Sequence, residues 1–490
     1  MYARINNNRV GAPKIDSTPQ KYTEDKQATN IIHNQLKTPQ PMLLLSAPIN
    51  NKEAILVHQE ISAIRSSFLH FFSNPAKSAP LSDSFEFIED GLLIIKEGKV
   101  VECRPYHHSD VHNYKNIDNK TGCLITPGFI DTHIHYPQSE MIGAYGEQLL
   151  EWLEKYTFPT EKKFADPAYA QYIAHIFINE LLRNGTTTAL VFGTVHPQSV
   201  DALFEEALSK NMLLISGKVM MDRNAPDYLL DTAESAYQDS ERLIQKWHNR
   251  GRLKYAITPR FAPTSTPEQL RLAGELKEKY PDTYVHTHLC ENRSEIAWVN
   301  ELYPEQKSYF QVYRHYGLAG KKSVFAHAIH LSDTEWDGIA QTDSAIAFCP
   351  TSNLFLGSGL FNLARAQNHH IRVGLGTDIG AGTSFCQLDS LSEAYKVTQL
   401  AGGTLSAFMG FYLATLGGAV ALSLDTQVGN FTAGKTADFT VIDWYTDEIQ
   451  RLRMDNTNTL EDRLFALMIL GGKQNIRETY IAGEKQYQRA

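Results

Sequence analysis

An apolar run closes with two histidines one residue apart, in Pro127-Gly-Phe-Ile-Asp-Thr-His133-Ile-His135. On an extended strand residues i and i+2 face the same way, so both imidazoles project together. Imidazole is the commonest metal ligand in proteins, although His-x-His alone is a weak signal because paired surface or core histidines are frequent. Three more apolar runs also end in residues of ligand type: His286-Thr-His288, Phe325-Ala-His327 and Gly374-Leu-Gly-Thr-Asp378. Ionisable groups buried at the ends of apolar strands are costly unless paired or bound to metal. The plain alternative, satisfied core polar groups, would have to hold at all four strand ends, so the pattern points to a metal site.

Such a site needs strands that bring their carboxyl ends together. Apolar runs of five to eight residues alternate with amphipathic stretches of ten to eighteen, the βαβα pattern of a parallel sheet. The expected strands are Leu124 to His135, Thr187 to Phe192, Leu213 to Val219, Lys254 to Thr258, Thr283 to His288, Ser323 to His327, Ala345 to Phe348 and Arg372 to Asp378. Between them run expected helices at Pro167 to Arg183, Val200 to Lys210, Asp231 to Trp247, Pro267 to Lys279 and Thr334 to Thr342. Eight such units over roughly 250 residues make an α/β fold of the closed (β/α)8 type; an open doubly wound sheet is the alternative. The spacing fits the count, since His135 to His288 spans 153 residues for four units, His288 to His327 39 for one, and His327 to Asp378 51 for two.

The barrel is expected over residues 123–429, flanked by a small β-sandwich built from 55–122 and 430–490. Its expected strands are Ala54 to His58, Ser84 to Ile88, Gly91 to Ile95, Lys99 to Cys103, Ala437 to Asp443 and Thr479 to Ile481, with turns at Asp90-Gly91, Glu97-Gly98 and Ala482-Gly483. Residues 1–54 read as a disordered extension: the first forty are rich in Asn, Gln, Lys, Thr and Pro without a sustained period. A partner-binding arm and a start at Met42 are the alternatives there.

The chain has 490 residues, 42% of them hydrophobic, enough to bury a large core. Its net charge of -9 argues against nucleic acid or anionic lipid as partner, and no run approaches the ~20 apolar residues of a membrane span. Five widely spaced cysteines without a Cys-x-x-Cys indicate neither a disulfide framework nor a cysteine zinc site, which points to a reducing cytoplasm.

Over about residues 60 to 490 the chain resembles the amidohydrolase superfamily, on the 127–135 run, on His-Thr-His-Leu-Cys-Glu-Asn at 286–292 and on Gly-Leu-Gly-Thr-Asp at 374–378. In its deaminase branch the His-x-His pair, the fifth-strand His and the eighth-strand Asp hold one metal. The resemblance thus implies His133, His135, His288 and Asp378 as ligands of one Zn2+ or Fe2+ per subunit. Two-metal members add a carboxylated lysine at the end of strand four; here that end reads Thr258-Pro259-Arg260. Lys218, on strand three, is left a structural or supporting role. A bound cation lowers the pKa of its water toward ~7. The roles that follow are Asp378 taking the water's proton, His327 orienting the nucleophile or touching substrate, and Glu291 protonating a substrate ring nitrogen and then departing ammonia. The plain reading of Glu291 is a helix-start acid beside Asn292, and His286 is expected to be a core residue.

A denser likeness is to the guanine-deaminating family of this superfamily. It rests on Gln138, on Arg260-Phe261, on Gly217-Lys-Val-Met-Met-Asp-Arg-Asn-Ala-Pro226 and on Cys349-Pro-Thr-Ser-Asn353-Leu. It implies that Gln138 and Arg260 read the purine edge, that Phe261 stacks on the ring, that His327 contacts substrate, and that Arg223 and Asn224 shape the adjoining loop. The expected reaction is hydrolysis of guanine to xanthine and ammonia in purine salvage or degradation, by a homodimer with a small-molecule partner only. Deamination of another heterocycle (8-oxoguanine, another aminopurine or a triazine) stays open, because barrel loops change specificity. So does a noncatalytic scaffold, against which the complete residue set argues.

Overall fold

The computed structural model describes residues 61–146 and 148–490, so the expected extension and the strand Ala54 to His58 lie outside the described residues. Strands from both ends of the described chain join in one sheet. They are β1 (Ile61–Phe71), β2 (Phe85–Lys96), β3 (Lys99–Pro105) and β4 (Ile117–Pro127), then, after the barrel, β14 (Phe439–Asp443), β15 (Ile476–Ile481) and β16 (Glu484–Gln488). Their order is β16-β15-β14-β4-β1-β2-β3, antiparallel throughout except for the parallel pair β1/β4. Its apolar residues pack together, among them Phe68, Leu93, Ile125 and Phe439, the last stacked on Tyr480 at 4.3 Å. Glu97 (φ 52°) and Gly98 (φ 71°) form the expected tight hairpin turn between β2 and β3. The turn expected at Asp90-Gly91 is absent, and β2 runs through it. Arg65 on β1 grips the Asp90 carboxylate with two hydrogen bonds of 2.7 Å, and Gly91 leaves room for Phe68, whose ring a Cβ would meet at 2.6 Å.

Between these segments lie β5 (Phe129–His135), β6 (Thr186–Phe192), β7 (Leu213–Gly217), β8 (Val219–Met220), β9 (Leu253–Pro259), β10 (Tyr284–Leu289), β11 (Ser323–His327), β12 (Ala345–Phe348) and β13 (Arg372–Leu375). They form a parallel barrel in the order β5-β6-β7-β9-β10-β11-β12-β13, with β8 paired to the far end of β9. Near the ends of β5 and β13 the barrel is closed by backbone hydrogen bonds from Asp378 to His133 and from His135 to Ile379, both 2.9 Å. Asp131 adds a side-chain staple, accepting from the Thr377 N–H at 3.1 Å and from its hydroxyl at 2.5 Å.

Three expected strands are shorter than the sequence pattern suggests. Leu124 to His135 divides at Gly128, one half entering the terminal sheet and the other the barrel; a Cβ on Gly128 would lie 2.1 Å from Thr187 Oγ1. Leu213 to Val219 breaks at Lys218, and the eighth barrel strand stops at Leu375 before the chain bends inward. The sequence reading passed over helices at Arg293–Leu302, Tyr309–His315 and Gln387–Leu400, and over Glu448–Asp455 and Leu460–Leu470 inside the expected β region. The near-continuous apolar stretch Leu464–Leu470 carries no period that separates helix from strand. Among the described residues no helix is long and apolar enough to cross a membrane.

Candidate active site

The alternation of β5 sends Asp131, His133 and His135 to one side, all buried. Around them come His286 and His288 from β10, His327 from the end of β11, and Asp378 from the bend after β13. His135 Nε2 lies 3.3 Å from both His133 Nε2 and His288 Nε2, while Asp378 Oδ1 sits 3.1 Å from His133 Nε2 and 3.4 Å from His135 Nε2. The far ring nitrogens of His288 and His133 are held, while that of His135 is buried without a partner. His288 Nδ1 donates to the Arg260 carbonyl at 2.7 Å, which leaves Nε2 with a lone pair. His133 Nδ1 shares a 2.7 Å hydrogen bond with His286 Nε2, so His286 does more than fill the core: it orients a candidate ligand.

Burial pushes His133, His135 and His288 well below the ordinary imidazole range, so all three are neutral. Imidazole nitrogens converging beside a carboxylate offer lone pairs that a cation between them would satisfy. Three nitrogens and one oxygen in this arrangement therefore fit a single divalent ion. Cys349 Sγ also falls within 4.8 Å of donor atoms of His133 and Asp378, but burial drives its thiol pKa well up and keeps it protonated. Lys218 does not reach the site; its ammonium pairs with Asp231 at 2.6 Å and with the Val219 carbonyl at 3.1 Å.

Beside the histidines stands an acid pair. His327 Nδ1 donates to Asn353 Oδ1 at 2.9 Å, which points Nε2 at Glu291 Oε2 (3.4 Å) and Asp378 Oδ2 (3.6 Å). His327 (φ 68°) and Asp378 (φ 53°) both adopt left-handed backbone, strain of the kind that concentrates at functional sites. Burial raises the Glu291 carboxyl to about 7 against the opposing pull of His327, and Ser358 donates to its Oε1 at 3.1 Å. The helix-start role belongs instead to Glu295, which accepts the backbone N–H groups of Glu291 and Asn292 at 2.9 and 3.1 Å. Glu291 is thereby left for other work.

Arg260 and Phe261 leave the end of β9, and Gln138 follows β5 in a short 3-10 turn. All three line a cavity together with His135, His288, Glu291, His327 and Asp378, and its apolar lining includes Leu149, Trp152 and Leu153. Arg223 and Asn224 donate to the carbonyls of Ala262 and Pro263 at 3.2 and 2.7 Å, fixing the loop that follows Phe261. The sequence reading missed Asp131 and Glu161. Asp131 had a signal, as it shares a strand face with His133 and His135. Glu161 had none: beside Lys162 and Lys163 it reads as a surface acid, yet it is fully buried and receives both Arg260 and Gln138.

Residues 124–485 match the amidohydrolase family. The chain is 58% identical over 431 residues to the guanine deaminase of Escherichia coli (strain K12), covering 88% of this chain and 98% of that protein. The solved E. coli guanine deaminase superimposes with a TM-score of 0.85 over 88% of this chain and all of that one. Guanine deaminase from Bradyrhizobium japonicum, 37% identical, also gives 0.85 over 88% of this chain and all of that one. The C. acetobutylicum guanine deaminase with guanine bound in its active site, 31% identical, gives 0.79 over 87% of this chain and all of that one. Likeness at this identity, over nearly the whole length of those proteins, places the chain in the amidohydrolase family and, within it, among the guanine deaminases.

Proposed function

We infer that this chain hydrolyses guanine to xanthine and ammonia, acting in purine salvage or degradation. The observation that carries the reading is the meeting, at one cavity, of His135, His288 and Asp378, with His133 directly against them, an acid of raised pKa and a wall bearing Arg260, Phe261 and Gln138. His133, His135, His288 and Asp378 would hold one divalent ion, for which Zn2+ and Fe2+ both suit imidazole ligands. Such an ion supplies Lewis acidity that lets water ionise near neutral pH. Asp378 accepts the proton of that water, and His327 Nε2, fixed through Asn353, orients the water toward C2. As the C2–O bond forms, Glu291 protonates the adjacent ring nitrogen. The C2–N bond to the exocyclic amine then breaks, and a proton returned through Glu291 lets it leave as ammonia. Phe261 supports the flat ring while Arg260 and Gln138 donate to its acceptors.

The same reading takes the protein to be a cytoplasmic homodimer. All five cysteines are unpaired, as a reducing compartment favours; light scattering tests the dimer. The activity is tested by ammonia release from guanine, 8-oxoguanine, adenine, cytosine and a triazine, with a chelator control. Chelator-sensitive release selective for guanine is expected. Release from another member of the panel would keep the metal site and overturn the assignment of the purine wall.

A further inference from the structure

The short helix Phe158–Glu161 lies behind the purine wall, and both its first and last residues address Arg260. The Phe158 ring centroid is 5.8 Å from Arg260 Cζ. Glu161, with no exposed surface, receives Arg260 Nη1 on both carboxylate oxygens at 2.9 Å and the Gln138 amide nitrogen at 3.3 Å. It does not itself line the cavity. The Gln138 amide is pinned at its other end as well, because Oε1 accepts the Gly380 N–H at 3.2 Å. With the oxygen turned to Gly380 and one N–H to Glu161, the group left to face a ligand is the second N–H. Arg260 can only donate.

We propose that Glu161 is a positioning residue that sets the polarity of the purine wall, holding Arg260 and Gln138 so that both present N–H donors to the substrate. This rests on the guanine reading and extends it to the origin of specificity. A wall of two donors suits a ring edge with two neighbouring acceptors, which guanine offers at O6 and N7, whereas a 6-amino group would set donor against donor. A ligand lacking the 6-oxygen leaves a buried donor without a partner, the situation in which a polar site discriminates most strongly.

The test compares the full-length, metal-loaded parent with Glu161→Gln and Glu161→Asp. Metal per chain, thermal melting, kcat and KM for guanine, and the inhibition constant of 2-aminopurine, which lacks the 6-oxygen, are measured. For Glu161→Gln the guanine KM is expected to rise roughly tenfold or more while kcat and the 2-aminopurine constant stay within about threefold, so the preference for guanine shrinks by about tenfold. Glu161→Asp keeps the buried charge but draws the carboxylate back by one methylene, and an intermediate loss of preference is expected. It also decides the matter by the same ratio if the Gln variant does not fold. Parallel weakening of both ligands, the signature of a purely structural role, overturns the inference. A parent that releases no ammonia from guanine overturns the functional reading and this inference with it; an active parent whose preference survives the substitutions overturns this inference alone.

Discussion

Arg252 and Arg260 flank the same barrel strand, β9, at opposite ends, and each meets a buried carboxylate. Before the strand, Arg252 grips Asp438 with Nη1 (3.1 Å) and Nη2 and also donates to the Asn211 carbonyl at 3.1 Å. Asp438 further accepts the Ala482 N–H at 2.8 Å, so this cluster ties the barrel floor to the terminal sheet. After the strand, Arg260 meets Glu161 through Nη1 alone, and its guanidinium makes no other hydrogen bond among the described residues. The floor arginine engages both of its Nη groups with protein, whereas the mouth arginine engages Nη1 alone and keeps Nη2 for something that is not protein. This follows the division of a (β/α)8 barrel into a stabilising end and a reactive end.

The comparison is sharpened most by removing a candidate metal ligand at the mouth. His135→Ala is expected to lose metal and to cut turnover by ~10³-fold or more, with folding retained; metal analysis beside an ammonia assay checks it. Glu291→Gln should keep the metal yet lower kcat by roughly 10²- to 10⁴-fold, and near-parental kcat would remove the proton-shuttle role. Arg260→Met strands a buried carboxylate and should cost about 3 to 5 kcal/mol in urea unfolding. Adding Glu161→Met is expected to restore most of that stability but none of the guanine turnover; recovered turnover would break the contrast drawn above.

At the floor stability falls again but activity is spared. Arg252→Ala should lose roughly 1 to 3 kcal/mol by leaving Asp438 short of a partner, while kcat/KM for guanine stays at the parental value. The smallest effect concerns Asp282, just before β10. Burial alone would raise its carboxyl, but hydrogen bonds from Lys322 and Asn249 outweigh that and bring it to about 2. A depressed carboxylate pKa stabilises the fold at pH values above the ordinary carboxylate range, and that contribution is lost as pH falls toward 2. Because the side chain is largely exposed, the stability gap between parent and Asp282→Asn should be below about 1 kcal/mol at pH 7 and narrow toward pH 3.

Much of the site was legible because it lies on strands. Period-two alternation places His133 with His135 and His286 with His288, whatever the rest of the chain does. The helices Pro167–Arg183 and Pro267–Lys279 carry their start signal, an acceptor side chain followed by proline, in the sequence itself. Less legible were features set by contacts from afar. The Asp90-Gly91 pair has turn chemistry, but Arg65 and Phe68 across the sheet hold it straight. Leu124 to His135 reads as one strand until the close approach of Thr187 to Gly128 divides it between two sheets.

The sequence by itself determined the parallel α/β architecture and the strand ends that carry the candidate ligands, because hydrophobic period and strand alternation are local properties of the chain; the wall of Gln138, Arg260 and Phe261 was legible only through a family resemblance. Only the tertiary structure decided that Glu161, a residue without any motif, is drawn inside to hold Arg260 and Gln138. It alone showed that Glu295 rather than Glu291 serves the helix start, and that Asp131 staples the first barrel strand to the last. Those assignments turn on which partner each carboxylate meets across long stretches of chain, and burial makes the choice of partner decisive, since a buried charge is tolerated only where a complementary group is waiting.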